Sequence, residues 1–358
     1  MLIIDAHLDL AWNALQWNRD LRAPVYTMRA LEVGVPGKGR AQNTVALPDL
    51  RRGRVALSFA TLLARATGHT APHIDYGSPA QAYAIAQGQL AYYRALAADG
   101  LVTVIEDAAA LDAHMARWQA WDAAASPDAT PDLPLGFVIS MEGADPIREP
   151  AQLEAWVAAG LRALGPAHYG PCRYAGGTGT DLGFTDMGRD LLREMARLNV
   201  LLDVTHLSDP AFWQALEWFD GPVLASHNNC RALVPQQRQF DDDQLRALIA
   251  RDAVIGAAFD VWMLIPGFTR GDSNAAAQLA TVVDHIDHVC QLAGNARHAA
   301  IGSDLDGGFG REQSPSDLDT VADLQRIPDL LAARGYGDAD IAAIMHGNWV
   351  RLLRSAWA

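Results

Sequence analysis

Apolar runs of five to nine residues alternate along this chain with longer segments whose apolar positions recur every three or four residues. The first pattern predicts strands buried on both faces, and the second predicts the helices that cover them. Nine runs read as strands: residues 2–10, 54–60, 101–105, 135–143, 161–168, 200–206, 222–227, 254–259 and 299–304. Helices are expected over residues 11–20, 80–98, 107–124, 151–161, 187–199, 209–218, 241–251 and 275–292, with two or three more closing the chain. Ser78 and Ser208 stand where N-caps belong, Pro79 fits a first helical turn, and Gly53 and Gly100 are stop signals.

Strand and helix alternating in this way describe an α/β protein built on a parallel sheet. A (β/α)8 TIM barrel with insertions, one domain over residues 1–358, is the expected architecture. Such a barrel takes eight strands, so one of the nine is surplus, and residues 102–105 are the run expected to lie outside it. An open doubly wound sheet is the competing arrangement. Residues 21–44, with Gly34, Pro36, Gly37 and Gly39, read as an irregular insertion, and residues 126–134 as a Pro-rich breaker.

Composition narrows the function. Twenty-eight basic against 42 acidic residues leave a formal charge of −14, which argues against nucleic acid or an anionic membrane surface as partner. The three cysteines, Cys172, Cys230 and Cys290, are widely spaced and suggest neither a disulfide framework nor a zinc knuckle. No secretory leader is expected at residues 1–10, and residues 351–358 are too short and charged for a membrane span, so a reducing, cytoplasmic location is expected.

The chemistry lies where the strands end. His7 and Asp9, two positions apart on an extended segment, point the same way. Glu142, His168, His206, His227 and Asp304 likewise stand at or just beyond the C-terminal ends of predicted strands. In a barrel these ends share one face, where barrel enzymes carry their catalytic groups. Imidazoles and carboxylates in this number suffice for two zinc-like ions with one shared ligand. Two such ions would activate water for hydrolysis, with Asp304 a candidate acid and base beside it.

These segments resemble the membrane dipeptidase (renal dipeptidase) family of the amidohydrolase superfamily, peptidase family M19, in its soluble bacterial form. The resemblance rests on Asp5-Ala6-His7-Leu8-Asp9-Leu10, Met141-Glu142-Gly143, Asp203-Val204-Thr205-His206-Leu207-Ser208, Ser226-His227-Asn228-Asn229 and Ile301-Gly302-Ser303-Asp304-Leu305-Asp306-Gly307, in the family's order across almost the whole chain. It implies a zinc-dependent dipeptidase with two Zn2+ per chain, other divalent metals being alternatives. His7 and Asp9 would hold one ion, His206 and His227 the other, and Glu142 would bridge them around a shared hydroxide. Asp304 would carry the proton, His168 would polarise the scissile carbonyl, and Arg238 would grip the substrate carboxylate, with Arg231 the competing choice. A dipeptide is the implied partner, and a homodimer is left open.

Several segments depart from the family pattern. The first motif lacks the Asn and Pro common after its His and Asp, Ala144 follows Gly143 where animal enzymes have a second glycine and a histidine, and residues 171–180 differ. The metal ligands are untouched, whereas substrate preference is open. Rival functions are a related amidohydrolase acting on N-acyl amino acids or lactones, and a non-catalytic barrel scaffold. The Gly177–Gly183 run is expected to be a turn and not a phosphate loop. Asp284, His285, Asp287 and His288 are expected to form local ion pairs on a helix.

Overall fold

Eight parallel strands follow one another around a ring in the computed structural model, which describes residues 1–69, 71, 73–126 and 129–357. Nine strands are present among the described residues: β1 (Ile3–Leu8), β2 (Val55–Leu63), β3 (Val102–Val104), β4 (Leu135–Glu142), β5 (Leu161–Gly165), β6 (Leu201–Asp203), β7 (Val223–Leu224), β8 (Ile255–Ala257) and β9 (Ala299–Ile301). Hydrogen bonding runs in the order β7-β6-β5-β4-β2-β1-β9-β8. Ala225, just past β7, closes the ring: its N–H donates to Val254 O (3.0 Å) and its carbonyl accepts from Gly256 N (2.8 Å). The result is the (β/α)8 barrel that the pattern predicted.

β3 is the surplus strand, and the register of β4 shows why. One edge of β4 pairs with β2 along Gly136–Glu142, while the other is divided. β5 takes its C-terminal half from Ile139 onward, and β3 takes Leu135–Phe137, the stretch β5 does not reach. Every residue of β1, β2 and β4 is buried, as expected of strands lined by side chains inside and helices outside.

The barrel closes tightly between β7 and β9. A Cβ built on Gly302 would stand 1.7 Å from the Ser226 carbonyl oxygen, so only glycine fits there. Helix starts follow the predicted caps at Ser78 and Ser208, and Asp107 and Asp241, expected as first helical residues, are caps as well. Ser78, Asp107, Ser208 and Asp241 accept N–H bonds at the heads of Pro79–Ala98, Ala108–Ala124, Asp209–Trp218 and Asp242–Ala250.

Four local expectations need correction. The insertion at 21–44 contains a helix, Val25–Leu31, on which Val25 and Met28 alone are buried, too few to give a periodic signal. Its first N–H is satisfied by Asp49 Oδ2 at 2.9 Å, a tertiary cap. The helix expected at 151–161 is a 3-10 turn, Pro150–Gln152, followed by Leu153–Ala158. The one expected at 275–292 starts at Leu279. A short helix capped by Asp260, Val261–Leu264, follows β8 unannounced. Pro127 and Asp128 of the expected breaker, and the final Ala358, lie outside the described residues. No helix among the described residues is long and apolar enough to cross a membrane.

Candidate active site

Because all strands are parallel, their C-terminal ends deliver side chains to one rim. His7 lies on β1 with Asp9 just after it, and Glu142 ends β4. His168, His206, His227 and Asp304 each stand three residues beyond β5, β6, β7 and β9. Asp9, Glu142, His168, His206, His227, Arg238 and Asp304 line one cavity of about 320 Å³, and His7 is buried against it. His206 and Asp304 adopt left-handed backbone conformations, φ 68° and 57°. Strain of this kind is tolerated where the surroundings hold a side chain in a required direction.

Glu142 lies between two sets of ligand atoms. Its Oε1 is 3.1 Å from His206 Nε2 and 3.3 Å from His227 Nε2, and those nitrogens are 3.1 Å apart. Its Oε2 is 3.7 Å from both His7 Nε2 and His168 Nε2. His7 Nε2 is also 3.8 Å from Asp9 Oδ2 and from Asp304 Oδ1. The opposite ring nitrogens are occupied. Thr61 Oγ1 lies 3.5 Å from His7 Nδ1, Thr178 Oγ1 3.0 Å from His206 Nδ1, and Ser226 Oγ 2.8 Å from His227 Nδ1. Each of these rings therefore turns its Nε2 inward, the orientation that metal-ligating histidines receive from such partners.

Two carboxylates, Asp5 buried and Asp203 half-buried, set the spacing of the strand ends. Asp5 accepts from Ser303 N (2.8 Å) and ties β1 to the end of β9. Asp203 accepts from Thr205 N and Ser226 N, both at 3.0 Å, and ties β6 to the end of β7.

The electrostatics ask for a cation. Burial, reinforced by Arg238 and neighbouring imidazoles, holds His206 and His227 far below the usual histidine range, so both present lone pairs. Burial also disfavours charge on His7, but Glu142, Asp9 and Asp304 together override it and push its pKa up to about 10. Burial raises Glu142 to about 7, against the pull of His7, and lifts Asp304 well above the carboxylate range. His7 Nε2, Asp9 Oδ1 and Glu142 Oε1 are buried without any hydrogen-bond partner. Buried polar atoms left unpaired are costly, and three triads bring such atoms within 4.8 Å: His7/Glu142/His227, Glu142/His168/His206 and His7/Asp9/Asp304. This donor set of imidazole nitrogen and carboxylate oxygen fits divalent metal.

The sequence profile of the membrane dipeptidase family, peptidase family M19, matches residues 1–357. The chain belongs to this family. Membership places it among metal-dependent dipeptidases. It is 33% identical over 237 residues to an uncharacterized protein in the pqqA 5′ region of Klebsiella pneumoniae, covering 63% of this chain and 84% of that one. Dipeptidase tcpJ of Claviceps purpurea is 34% identical over 175 residues, 48% of this chain, and the match spans 38% of the fungal protein's length. The crystal structure of a metallo peptidase from Rhodobacter sphaeroides, liganded with a phosphinate mimic of the dipeptide L-Ala-D-Ala, aligns with TM-score 0.77 at 24% identity. That alignment covers 100% of this chain and 99% of the other, and it shows the shared fold.

Within this M19 fold the two arginine candidates separate. Arg231 grips Asp209 through both terminal nitrogens (3.0 and 2.7 Å) and donates to the carbonyls of Gln236, Gln237 and Gln239, bracing the loop that carries Arg238. Arg238 lines the cavity. It donates to Asn228 Oδ1 (2.7 Å) and His227 O (2.9 Å), and its buried Nε has no partner.

The helix histidines form no such centre. His285 Nδ1 accepts from Cys230 N, His288 pairs with Asp242, Asp287 accepts from Tyr336 and Asp284 pairs with Arg334. Asp306, in the turn that follows Asp304, is buried and holds Thr44 and Val45 through three hydrogen bonds, anchoring the insertion beside the site.

Sequence reasoning passed over the hydroxyls behind the histidines. Thr178 belongs to the glycine-rich run expected to be a turn; the run does turn at Gly177–Thr180 (Thr180 N to Gly177 O, 3.1 Å), and it also passes beside His168, where Thr178 N donates to His168 O at 2.9 Å. A Cβ on Gly177 would lie 2.0 Å from the same oxygen, so the glycine is the signal that another backbone passes close by. Thr178→Val is expected to weaken metal retention about 10–100-fold. Chelator competition measures this, with circular dichroism checking that the barrel is unchanged.

Proposed function

We propose that this chain hydrolyses the peptide bond of dipeptides, as a single domain over residues 1–358. One observation carries the reading: Asp9, Glu142 and Arg238, each with a buried unpartnered polar atom, line the same cavity, and the unpartnered Nε2 of His7 lies 3.7 Å from Glu142 Oε2. His7 and Asp9 would hold one divalent ion and His206 and His227 a second, with Glu142 serving both. The mixed nitrogen and oxygen donor set favours zinc. Two ions bound there would lower the pKa of a shared water, so that hydroxide is available near neutrality.

The side chains supply the rest. Arg238 offers Nε–H and a planar fork to the substrate's terminal carboxylate. His168 donates a hydrogen bond to the scissile carbonyl oxygen. Asp304 takes a proton from the attacking water and returns it to the departing amine nitrogen. A cavity of about 320 Å³ accommodates a ligand of dipeptide size. Three buried unpaired cysteines support a reducing compartment.

Steady-state assay of the zinc-loaded protein on L,L- and L,D-dipeptides, paired with their carboxyl esters, tests the reading. Turnover of free dipeptides and loss of at least about 10²-fold in kcat/KM on esterification or in Arg238→Met are expected, as for a buried charge pair left unmatched. Turnover of N-acyl amino acids or lactones in place of dipeptides, or negligible metal binding, would overturn it.

A further inference from the structure

His168 poses a question that the distances around Glu142 do not answer. Its Nε2 belongs to a triad with Glu142 and His206 whose ligand atoms all lie within 4.8 Å, so position alone would let it hold a metal. What distinguishes it is its other nitrogen. His7, His206 and His227 turn Nδ1 toward hydroxyls. A hydroxyl can accept a hydrogen bond as well as donate one, so those rings are free to carry hydrogen on Nδ1 and a lone pair on Nε2. His168 Nδ1 instead lies 3.3 Å from Arg65 Nη1. Guanidinium has five N–H donors and no acceptor, so a hydrogen on Nδ1 would meet another hydrogen.

We propose that Arg65, held by Asp75, is a positioning residue that fixes the hydrogen of His168 on Nε2, making this histidine a donor to substrate and not a metal ligand. The hydrogen-bond donor on Nε2 then faces the cavity, where a carbonyl oxygen can meet it. What it donates to rests on the dipeptidase reading; the tautomer does not.

Arg65 is built for a fixed orientation. It follows β2, and its backbone is clamped on both sides, its N–H donating to Ile74 O and its carbonyl accepting from Tyr76 N, both at 2.8 Å. Its Nη2 donates to Asp75 Oδ2 at 2.9 Å. Asp75 is buried and also accepts from Thr67 N (3.0 Å) and Thr67 Oγ1 (2.6 Å), so it does not swing away. On the other side, the His168 backbone is tied by its N–H to Cys172 Sγ (3.3 Å) and by its carbonyl to Thr178 N (2.9 Å). Both members of the pair are thus held in place by the protein itself, as a preorganised donor requires.

The test is nitrogen NMR on the full chain labelled with 15N-histidine, metal-free and zinc-loaded, with the His168 signals assigned by their loss in His168→Asn. Expected are a pyridine-type Nδ1 and a pyrrole-type Nε2 in both states, while the Nε2 signals of His206 and His227 move on zinc addition. Arg65→Met is expected to mix the tautomers and lower kcat about 10²-fold, with KM and zinc content within about threefold of the parent. Arg65→Lys, which also only donates, should restore the tautomer and most of kcat. A pyrrole-type Nδ1 in the parent protein, or zinc-dependent movement of the His168 Nε2 signal, would overturn the proposal. Loss of stability and metal in Arg65→Met with an unchanged tautomer would also overturn it, reducing Arg65 to a structural brace. The expected tautomer in a protein that cleaves no dipeptide would leave this assignment standing and defeat the dipeptidase reading.

Discussion

Glu142→Gln is expected to lose metal from both sides of the site together and to lower kcat/KM by at least about 10³-fold, roughly 4 kcal/mol of transition-state stabilisation. The reason is geometric: Oε1 faces His206 and His227 while Oε2 faces His7, so one carboxylate serves both groups. Metal analysis after dialysis, alongside the assay, checks this, and retention of one ion at full occupancy would count against a shared ligand. The same substitution should have the opposite sign on the metal-free fold. Glu142 is raised from 4.5 to about 7 by burial, so the folded chain binds more protons there than the unfolded chain. Metal-free stability therefore falls as pH rises from about 4.5 to about 7. His7, raised from 6.5 to about 10, adds stability that is complete below about 6.5 and lost as pH climbs through 10. Urea midpoints in chelator across this range should decline with pH in the parent protein and decline less in Glu142→Gln.

Asp304→Asn is expected to lower kcat by about 10²–10⁴-fold while leaving metal content and KM close to those of the parent protein. Asp304 sits 3.8 Å from His7 and belongs to a possible ligand triad with His7 and Asp9, so proton carrier and ligand are distinct roles for it. Metal content decides between them. Loss of an ion along with activity would make Asp304 a ligand; a retained complement with kcat lost is the outcome a proton carrier requires.

Much of this was legible in the chain because it depends on nearest neighbours. An apolar run followed by His or a carboxylate records both a strand and the rim at which it ends, so His7, Glu142, His206, His227 and Asp304 could be gathered before any contact was known. Caps at Ser78 and Ser208 were readable for the same reason: cap and helix are adjacent. The helix Val25–Leu31 was not, because its cap, Asp49, comes 24 residues later and its buried face is two side chains wide.

By itself, then, the sequence determined the alternation of strand and helix, the rim, and which side chains reach it, since periodicity and strand ends are local properties. Tertiary structure alone decided what each of those side chains can do. Thr61 stands 54 residues from His7, Thr178 28 residues from His206 and Arg65 103 residues from His168. No local pattern links such positions; they meet because closing the barrel brings neighbouring strand ends together. A hydroxyl behind one imidazole and a guanidinium behind another then separate a histidine suited to hold metal from one that can only donate a hydrogen bond. Arg231 and Arg238 are separated in the same way: Asp209 occupies the first, while Nε of the second is buried without a partner.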